Sequence, residues 1–323
     1  MPAALTLVSL AKNPVPGGAS EGMVTTPDGA KLRYATWLAT RTPLRGTCVV
    51  VQGRAEYIEK YFEVIADLRR RGYAVVAFDL RGQGGSSRLV ADQQKGHIAN
   101  FRQYDVDLET ILREVLIPTM PEPYIALGHS LGGHILLRHA LAPNSPFERL
   151  VLTGPMIRLA EVALGMPARN ARLMAEIGCA AGFGSSYVPG GKPPQPAGEP
   201  FESNPLTSDR ERFARAQAVV QAAPHLAIGA PTVGWMRAAF RSMAMLQAPD
   251  TPREILLPAL FVAAGDDKVV SSTAVEEFAL KTKLGSAVLV AGSRHEILQE
   301  TDDTRARFWS AFDAYFADAA VAA

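Results

Sequence analysis

Two apolar rhythms alternate along this chain. Thr47-Cys48-Val49-Val50-Val51 and the runs 73–78, 124–127 and 150–153 are almost continuously apolar, as strands buried on both faces are. Residues 59–71 instead carry Tyr61, Phe62, Ile65 and Leu68 at helical spacing and stop at Gly72, and 101–116 and 131–141 follow the same period. Strands alternating with helices predict a parallel sheet covered on both faces. Ahead of them, 22–26 and 31–38 flank Pro27-Asp28-Gly29, a hairpin signal. The alternation stops over 154–257. That stretch has helical patterns at 158–177, 208–221 and 232–246 and a Pro/Gly-rich segment at 182–205, but no convincing strand. It resumes with a strand at 259–263, a helix at 273–280, a strand at 287–290 and a helix at 304–316. The expected organisation is a core in two parts, 1–153 and 258–323, with a helical insertion, 154–257, after the sixth strand. The alternative is an independent second domain.

Composition narrows this little. With 48% hydrophobic residues, 20% charged and a net charge of +1, a large core is available and nothing favours nucleic acid or an anionic surface. The two cysteines, Cys48 and Cys179, are expected as buried, reduced thiols, with neither a disulfide framework nor a zinc site. The apolar run at 3–11 lacks a basic leader and is too short to span a bilayer. A cytoplasmic protein is expected, with peripheral contact at the inner membrane face left open. Neither cofactor nor metal is implied.

One motif carries chemistry. Gly128-His129-Ser130-Leu131-Gly132-Gly133 sits between an apolar strand and a helical pattern. Gly-x-Ser-x-Gly in that setting is the nucleophile elbow of the α/β-hydrolase fold, where small residues let strand and helix approach. The same spacing at Gly18-Ala19-Ser20-Glu21-Gly22 follows a Pro/Gly stretch and is expected to be a flexible loop. A serine hydroxyl needs a base, and the base an orienting acid, in the order Ser, Asp/Glu, His. Among six histidines, only His295 follows the last predicted strand. His129 points away from the serine, His134 and His139 ride on the elbow helix, and His225 lies in the insertion, where it could line the pocket. After strand 259–263 come Asp266 and Asp267, one expected to face His295 and the other to cap a turn or helix. The oxyanion hole is expected from the N–H groups of Leu131 and Arg54, with Arg54 and Glu56 side chains bracing the loop Gln52-Gly53-Arg54-Ala55-Glu56. The glycine-rich Asp79–Ser86 stretch lacks phosphate-loop spacing and is expected as a structural turn beside the site.

Taken together, Gly53-Arg54-Ala55-Glu56-Tyr57 with Lys60-Tyr61, Asp79-Leu80-Arg81-Gly82-Gln83-Gly84, Lys95-Gly96-His97-Ile98 with Phe101, the elbow, and His295-Glu296-Ile297-Leu298 resemble the monoacylglycerol lipase and lysophospholipase group of α/β-hydrolases, especially bacterial lysophospholipase L2-like proteins. The resemblance runs from about Gly22 to Phe316 and weakens in the insertion. It implies that Asp267, directly before a basic residue and Val-Val, is the acid. It also implies a mostly parallel sheet with a helical cap and hydrolysis of a single-acyl lipid ester, a lysophospholipid or a monoacylglycerol. A small-ester or thioester hydrolase, a peptidase, or a silent binding protein on the same scaffold are the alternatives. Gln52-Gly53 departs from the His-Gly of many relatives. Met156, Ile157, Leu159, Val162, Leu164 and Met166, then Trp235, Met236, Phe240, Met243 and Met245, are candidates to line an acyl tunnel or to pack the insertion onto the core.

Overall fold

Ser20–Thr25 (β1) and Lys31–Trp37 (β2) form the hairpin around Pro27-Asp28-Gly29, with Thr25 opposite Lys31. In this computed structural model, which describes residues 6–195 and 200–317, the hairpin is the antiparallel edge of one eight-stranded sheet. The remaining strands are Thr47–Val51 (β3), Ala74–Phe78 (β4), Tyr124–His129 (β5), Phe147–Thr153 (β6), Ala259–Ala264 (β7) and Gly285–Val290 (β8). Their order is β1-β2-β4-β3-β5-β6-β7-β8, parallel from β4 onward. β3, β4, β5 and β7 are buried throughout, which explains their unbroken apolar runs.

Helices cover both faces. Phe62–Arg70 and Asp302–Ala317 pack on one face, burying Ile65, Leu68, Phe308 and Phe312. Arg102–Ile111, Leu131–His139 and Ser272–Lys281 pack on the other, with Leu108, Ile135 and Phe278 in a second cluster. Between β6 and β7 the described residues contain helices but no strand of the sheet. The last long helix there, Val233–Leu246, joins the second core cluster through Trp235, Met236 and Met243.

Several expectations need correction. Ser20 is not in a loop: it opens β1 opposite Thr36, and with no helix after that strand it is no elbow. The helix expected at 158–177 is two helices, Glu161–Leu164 and Ala168–Ala180. Gly165 ends the first in a left-handed conformation (φ +63), and Pro167, which has no N–H to give a helix interior, precedes the second. The helix expected at 59–71 begins as a 3-10 turn, Ile58–Tyr61. Cys48 is buried and Cys179 only half-buried, both as free thiols. Residues 3–5 of the N-terminal run and 196–199 of the Pro/Gly-rich segment lie outside the described residues. Leu7 is buried, and its amide donates to Glu21 Oε2 at 2.7 Å. No described helix is long and apolar enough to cross a membrane.

Candidate active site

Parallel register decides which loops meet. β3 lies between β4 and β5, with Val51 opposite Gly128, so the loop after β3 leaves the sheet beside the turn after β5. The connection direction reverses between these neighbours, and ligands of open α/β sheets bind at such a point, beyond the carboxyl ends of the strands. β6, β7 and β8 end at the same edge, bringing Gly154, Asp267 and His295 there.

Ser130 occupies the turn itself, between β5 and helix Leu131–His139, at φ 50° and ψ −109°. That backbone is strained for a non-glycine residue and is held by its surroundings. Its amide donates to Thr153 O at 2.9 Å, and its carbonyl accepts from Met156 N at 3.0 Å. The crowding explains the flanking glycines. A Cβ on Gly132 would lie 2.0 Å from Val51 O, and one on Gly128 would lie 2.8 Å from Gly133 Cα.

His295 is buried beside this turn, and its Nδ1 meets Asp267 Oδ2 at 2.7 Å. Asp267 Oδ1 accepts from Val269 N (2.8 Å) and Val270 N (2.9 Å). Burial alone would raise the Asp267 pKa, but the hydrogen bond and charge of His295 and the two amides outweigh it and lower it. An ionised Asp267 holds the proton on Nδ1 and leaves Nε2 free to accept one. A Cβ on Gly154 would lie 3.4 Å from His295 Nδ1, so the turn after β6 packs directly on the pair. No hydrogen bond joins the Ser130 hydroxyl to the His295 ring; such contacts often tighten only with substrate bound. Asp266 is elsewhere: half-exposed, it pairs with Lys268 at 2.5 Å. It caps neither turn nor helix, since Ser271 accepts from Ala274 N at the helix start.

Two amides stand out. In the loop after β3, Gly53 N donates to Glu56 Oε2 (2.5 Å) and Ala55 N to Gln83 Oε1 (3.1 Å). The Arg54 amide between them donates to nothing among the described residues. At the elbow Ser130 N is engaged by Thr153, while Leu131 N likewise has no described acceptor. The open Arg54 N–H thus lies between tied neighbours, and Leu131 N is the first of the open amides at the start of the elbow helix; fixed, unengaged donors of this kind are what a preorganised anion site requires.

The residues that hold this loop were partly missed from sequence. Glu56, expected as a brace, also accepts from Tyr61 Oη at 2.6 Å. Lys60 Nζ then bridges Glu56 Oε1 (2.9 Å) and Glu296 Oε1 (2.5 Å), linking the Arg54 loop to the residue after His295. Burial works against the charge on Glu56, but Lys60 and His129 overcome it and draw its pKa to about 2. The Glu56–Lys60 spacing of four was legible as a local pair; Glu296, 236 positions from Lys60, carries no sequence signal. Asp79 anchors the expected structural turn, accepting from Ile58 N, Gly85 N and Arg33 Nε.

The other histidines have separate places. His129 Nδ1 lies 3.1 Å from both Thr153 O and Thr153 Oγ1, and its ring is 4.8 Å from that of His295. Burial holds it neutral, with its pKa near 4. His134 bridges Met156 O and Ser242 Oγ and is likewise depressed by burial, to about 3. His139 is buried against Phe147. His225 is exposed, and its carbonyl accepts from Arg88 Nη2 at 2.7 Å.

Insertion residues bond to the loop that carries His295. On either side of His295, Glu296 N donates to Leu206 O (2.8 Å) and Arg294 Nη1 to Asn204 O (2.9 Å). Within the insertion lies an apolar cavity of about 640 Å³, lined by Leu164, Met166, Ala171, Met174 and Met236 among others. Of the tunnel candidates, Leu164, Met166 and Met236 line it. Met156, Ile157, Trp235, Phe240 and Met243 are core packing, and Val162 is exposed.

The chain is similar to known proteins in family, sequence and fold. The family model described as "Serine aminopeptidase, S33" matches residues 42–302. Lysophospholipase L2 of Escherichia coli is 30% identical over 269 residues, covering 80% of this chain and 76% of that protein. Probable lysophospholipase L2 of Haemophilus influenzae is 28% identical over 85% of each chain. In structure, a soluble variant of Saccharomyces cerevisiae monoglyceride lipase in complex with a substrate analog superposes with a TM-score of 0.73 at 19% identity, covering 94% of this chain and 97% of that one. A thermostable carboxyl esterase from Bacillus coagulans gives a TM-score of 0.71 at 17% identity, covering 93% and 98%. Since the model spans every segment from the strand holding Cys48 to the turn after His295, the chain belongs to the α/β-hydrolase family described as serine aminopeptidase, S33.

Proposed function

We propose that the protein is a serine ester hydrolase acting on single-acyl lipids, lysophospholipid or monoacylglycerol. Ser130 attacks the ester carbonyl, His295 Nε2 takes the proton and returns it to the leaving alcohol, and Asp267 orients and stabilises the imidazolium. The oxyanion is held by the amides of Arg54 and Leu131, and water then releases the fatty acid from Ser130. The observation that carries this reading is the pair of unengaged amides, Arg54 N between tied neighbours and Leu131 N at the start of the elbow helix, beside a strained serine and an acid–histidine pair.

Lipid as substrate is supported by the lysophospholipase L2 relatives and by the apolar cavity among the insertion helices, which we read as a cap over the site. Each methylene buried there contributes about 0.8 kcal/mol. The family description names a peptidase, yet an aminopeptidase needs an acid to hold the substrate amine, and no lining residue of that cavity is acidic among the described residues. Met174, Ile177 and Phe183 line the cavity while staying 44%, 59% and 60% exposed. An apolar rim of this kind suits entry from a lipid surface, and hence peripheral membrane contact.

Release of fatty acid from 1-acyl-glycerophospholipids and monoacylglycerols by purified protein tests the reading. Wild-type activity rising beyond four-carbon chains, and its loss in Ser130→Ala, are expected. Unchanged hydrolysis in Ser130→Ala would refute the mechanism.

A further inference from the structure

Three buried arginines of this protein are neutralised by carboxylates, Arg33 by Glu59 and Asp79, Arg81 by Asp28 and Asp107, and Arg305 by Asp67, while a fourth, Arg69, donates to Leu38 O. Arg54 is different. It has no ion-pair partner among the described residues. Nη2 donates to Gly229 O at 2.5 Å, and the guanidinium lies over the Trp235 ring at 5.4 Å. Its Nε is sealed from solvent with no hydrogen-bond partner, and Nη1 makes no described hydrogen bond. Burial lowers its pKa to about 10, which leaves it charged at neutral pH. A desolvated cation with open donors is costly unless something supplies the opposite charge.

The surroundings indicate what does. Arg54 lines a cleft of about 610 Å³ together with Lys192, Gly191, Gln217, Gly229 and Ala230, and no described lining residue is acidic. Lys192 is exposed and also without an ion-pair partner among the described residues. The cleft is separate from the apolar cavity inside the insertion: one is cationic and polar, the other suited to hydrocarbon. The backbone of the same Arg54 carries one of the two unengaged amides. In a 1-acyl-glycerophospholipid, as many bonds separate the ester carbon from the phosphorus as separate an arginine Cα from its Nη atoms. An ester oxygen held at the Arg54 amide therefore brings the phosphate within reach of the Arg54 guanidinium. A planar, multi-donor guanidinium suits phosphate oxygens better than any other side chain.

We infer that the Arg54 guanidinium, with Lys192 beside it, is the subsite for the phosphodiester headgroup of a single-acyl glycerophospholipid. It thereby selects that substrate over an uncharged monoacylglycerol. The inference rests on the ester-hydrolase reading of the same site and names its substrate class.

The test compares kcat/KM for a lysophospholipid and a monoacylglycerol of identical acyl chain, in wild type, Arg54→Met, Arg54→Lys and Lys192→Gln. Wild type should prefer the lysophospholipid. In Arg54→Met the ratio of the two kcat/KM values should fall about tenfold or more, mainly through KM, since charge-assisted bonds to phosphate are lost. Arg54→Lys should recover part of the ratio, and Lys192→Gln should lower it about two- to fivefold. A further arm separates headgroup from free anion: glycerol 3-phosphate should inhibit nitrophenyl ester hydrolysis by wild type more strongly than inorganic phosphate does, and Arg54→Met should erase the difference. Equal losses on both lipids in Arg54→Met and Arg54→Lys would make Arg54 a latch for the insertion and overturn the proposal, as would stronger inhibition by inorganic phosphate. A wild type that cleaves neither lipid would instead overturn the hydrolase reading itself.

Discussion

Replacing Lys60 with methionine removes the one cation shared by the Arg54 loop and the His295 loop. Lys60 Nζ lies 2.9 Å from Glu56 and 2.5 Å from Glu296, and the three side chains are 10%, 5% and 8% exposed. Breaking a buried ion pair by deleting one partner costs about 3–5 kcal/mol, because the other charge is left uncompensated. The Glu56 pKa supports the same scale: about 2 against an ordinary 4.5, which corresponds to about 3 kcal/mol of stabilisation of its charged form. In Lys60→Met two buried carboxylates face each other, and their pKa values rise above those of the unfolded chain. A raised carboxyl pKa penalises folding above that pKa, and the penalty fades as pH falls and the group takes a proton. The gap in unfolding free energy between wild type and variant, from urea melts, should therefore be about 3–5 kcal/mol at pH 8 and smaller by about 1.5 kcal/mol or more at pH 5.5. Glu56 also fixes Gly53 N, so kcat should fall about 10- to 100-fold, below the 10²–10³ typical of losing one oxyanion donor outright. A gap under 1 kcal/mol at pH 8, equal gaps at both pH values, or an unchanged kcat would refute the coupling.

Asp267→Asn should lower kcat by about 10⁴-fold on a soluble ester, since the amide favours the wrong histidine tautomer. Asp266→Asn should stay within about twofold, because its half-exposed pair with Lys268 is worth little. With pKa values held near 4 and 3, His129 and His134 bind fewer protons folded than unfolded. Stability should thus decline as pH falls below the ordinary value of 6.5, by about 1 kcal/mol or more per pH unit in denaturant melts. Their imidazole NMR shifts should stay constant between pH 5.5 and 8. Ala171→Trp, placed in the insertion cavity, should lower kcat/KM for long acyl chains about tenfold or more while sparing butyryl esters. An equal loss at every chain length would separate that cavity from acyl binding.

Much of this was legible because it is local. Continuous apolar runs marked β3, β4, β5 and β7, Asp-Gly marked the β1–β2 turn, and the elbow combined strand, strained turn and helix within a few residues. The break at Gly165-Met166-Pro167 was also written in the sequence, but the apolar spacing across it masked the punctuation. What depends on tertiary geometry was hidden. Neighbouring aspartates differ only in which one the turn after β7 aims at His295, and no periodicity decides that. The Arg54–Gly229 bond spans 175 positions, and the Lys60–Glu296 pair still more. Such contacts exist only once the sheet has brought its loops together.

The insertion bears on the His295 loop. Core residues Thr153, Val269, Val270, Glu56 and Gln83 hold Ser130, Asp267 and the Arg54 loop, and the insertion adds Met156 N on the Ser130 carbonyl and Gly229 O on the Arg54 guanidinium. His295 is bound by Asp267 in the core, but its neighbours Arg294 and Glu296 also bond to Asn204 O and Leu206 O in the insertion, and Thr207 Oγ1 adds a bond to Gln299 O at 2.7 Å. The proton carrier of the proposed mechanism thus sits in a loop whose position depends in part on the insertion, the segment that also holds the proposed acyl cavity. A change in the insertion that displaces residues 204–207 would alter kcat as well as substrate choice. A change confined to the cavity walls near Ala171 would alter substrate choice alone. Chain-length selectivity and turnover should therefore separate by position within one insertion, because its segments around Ala171 and at 204–207 bear on different parts of the proposed reaction.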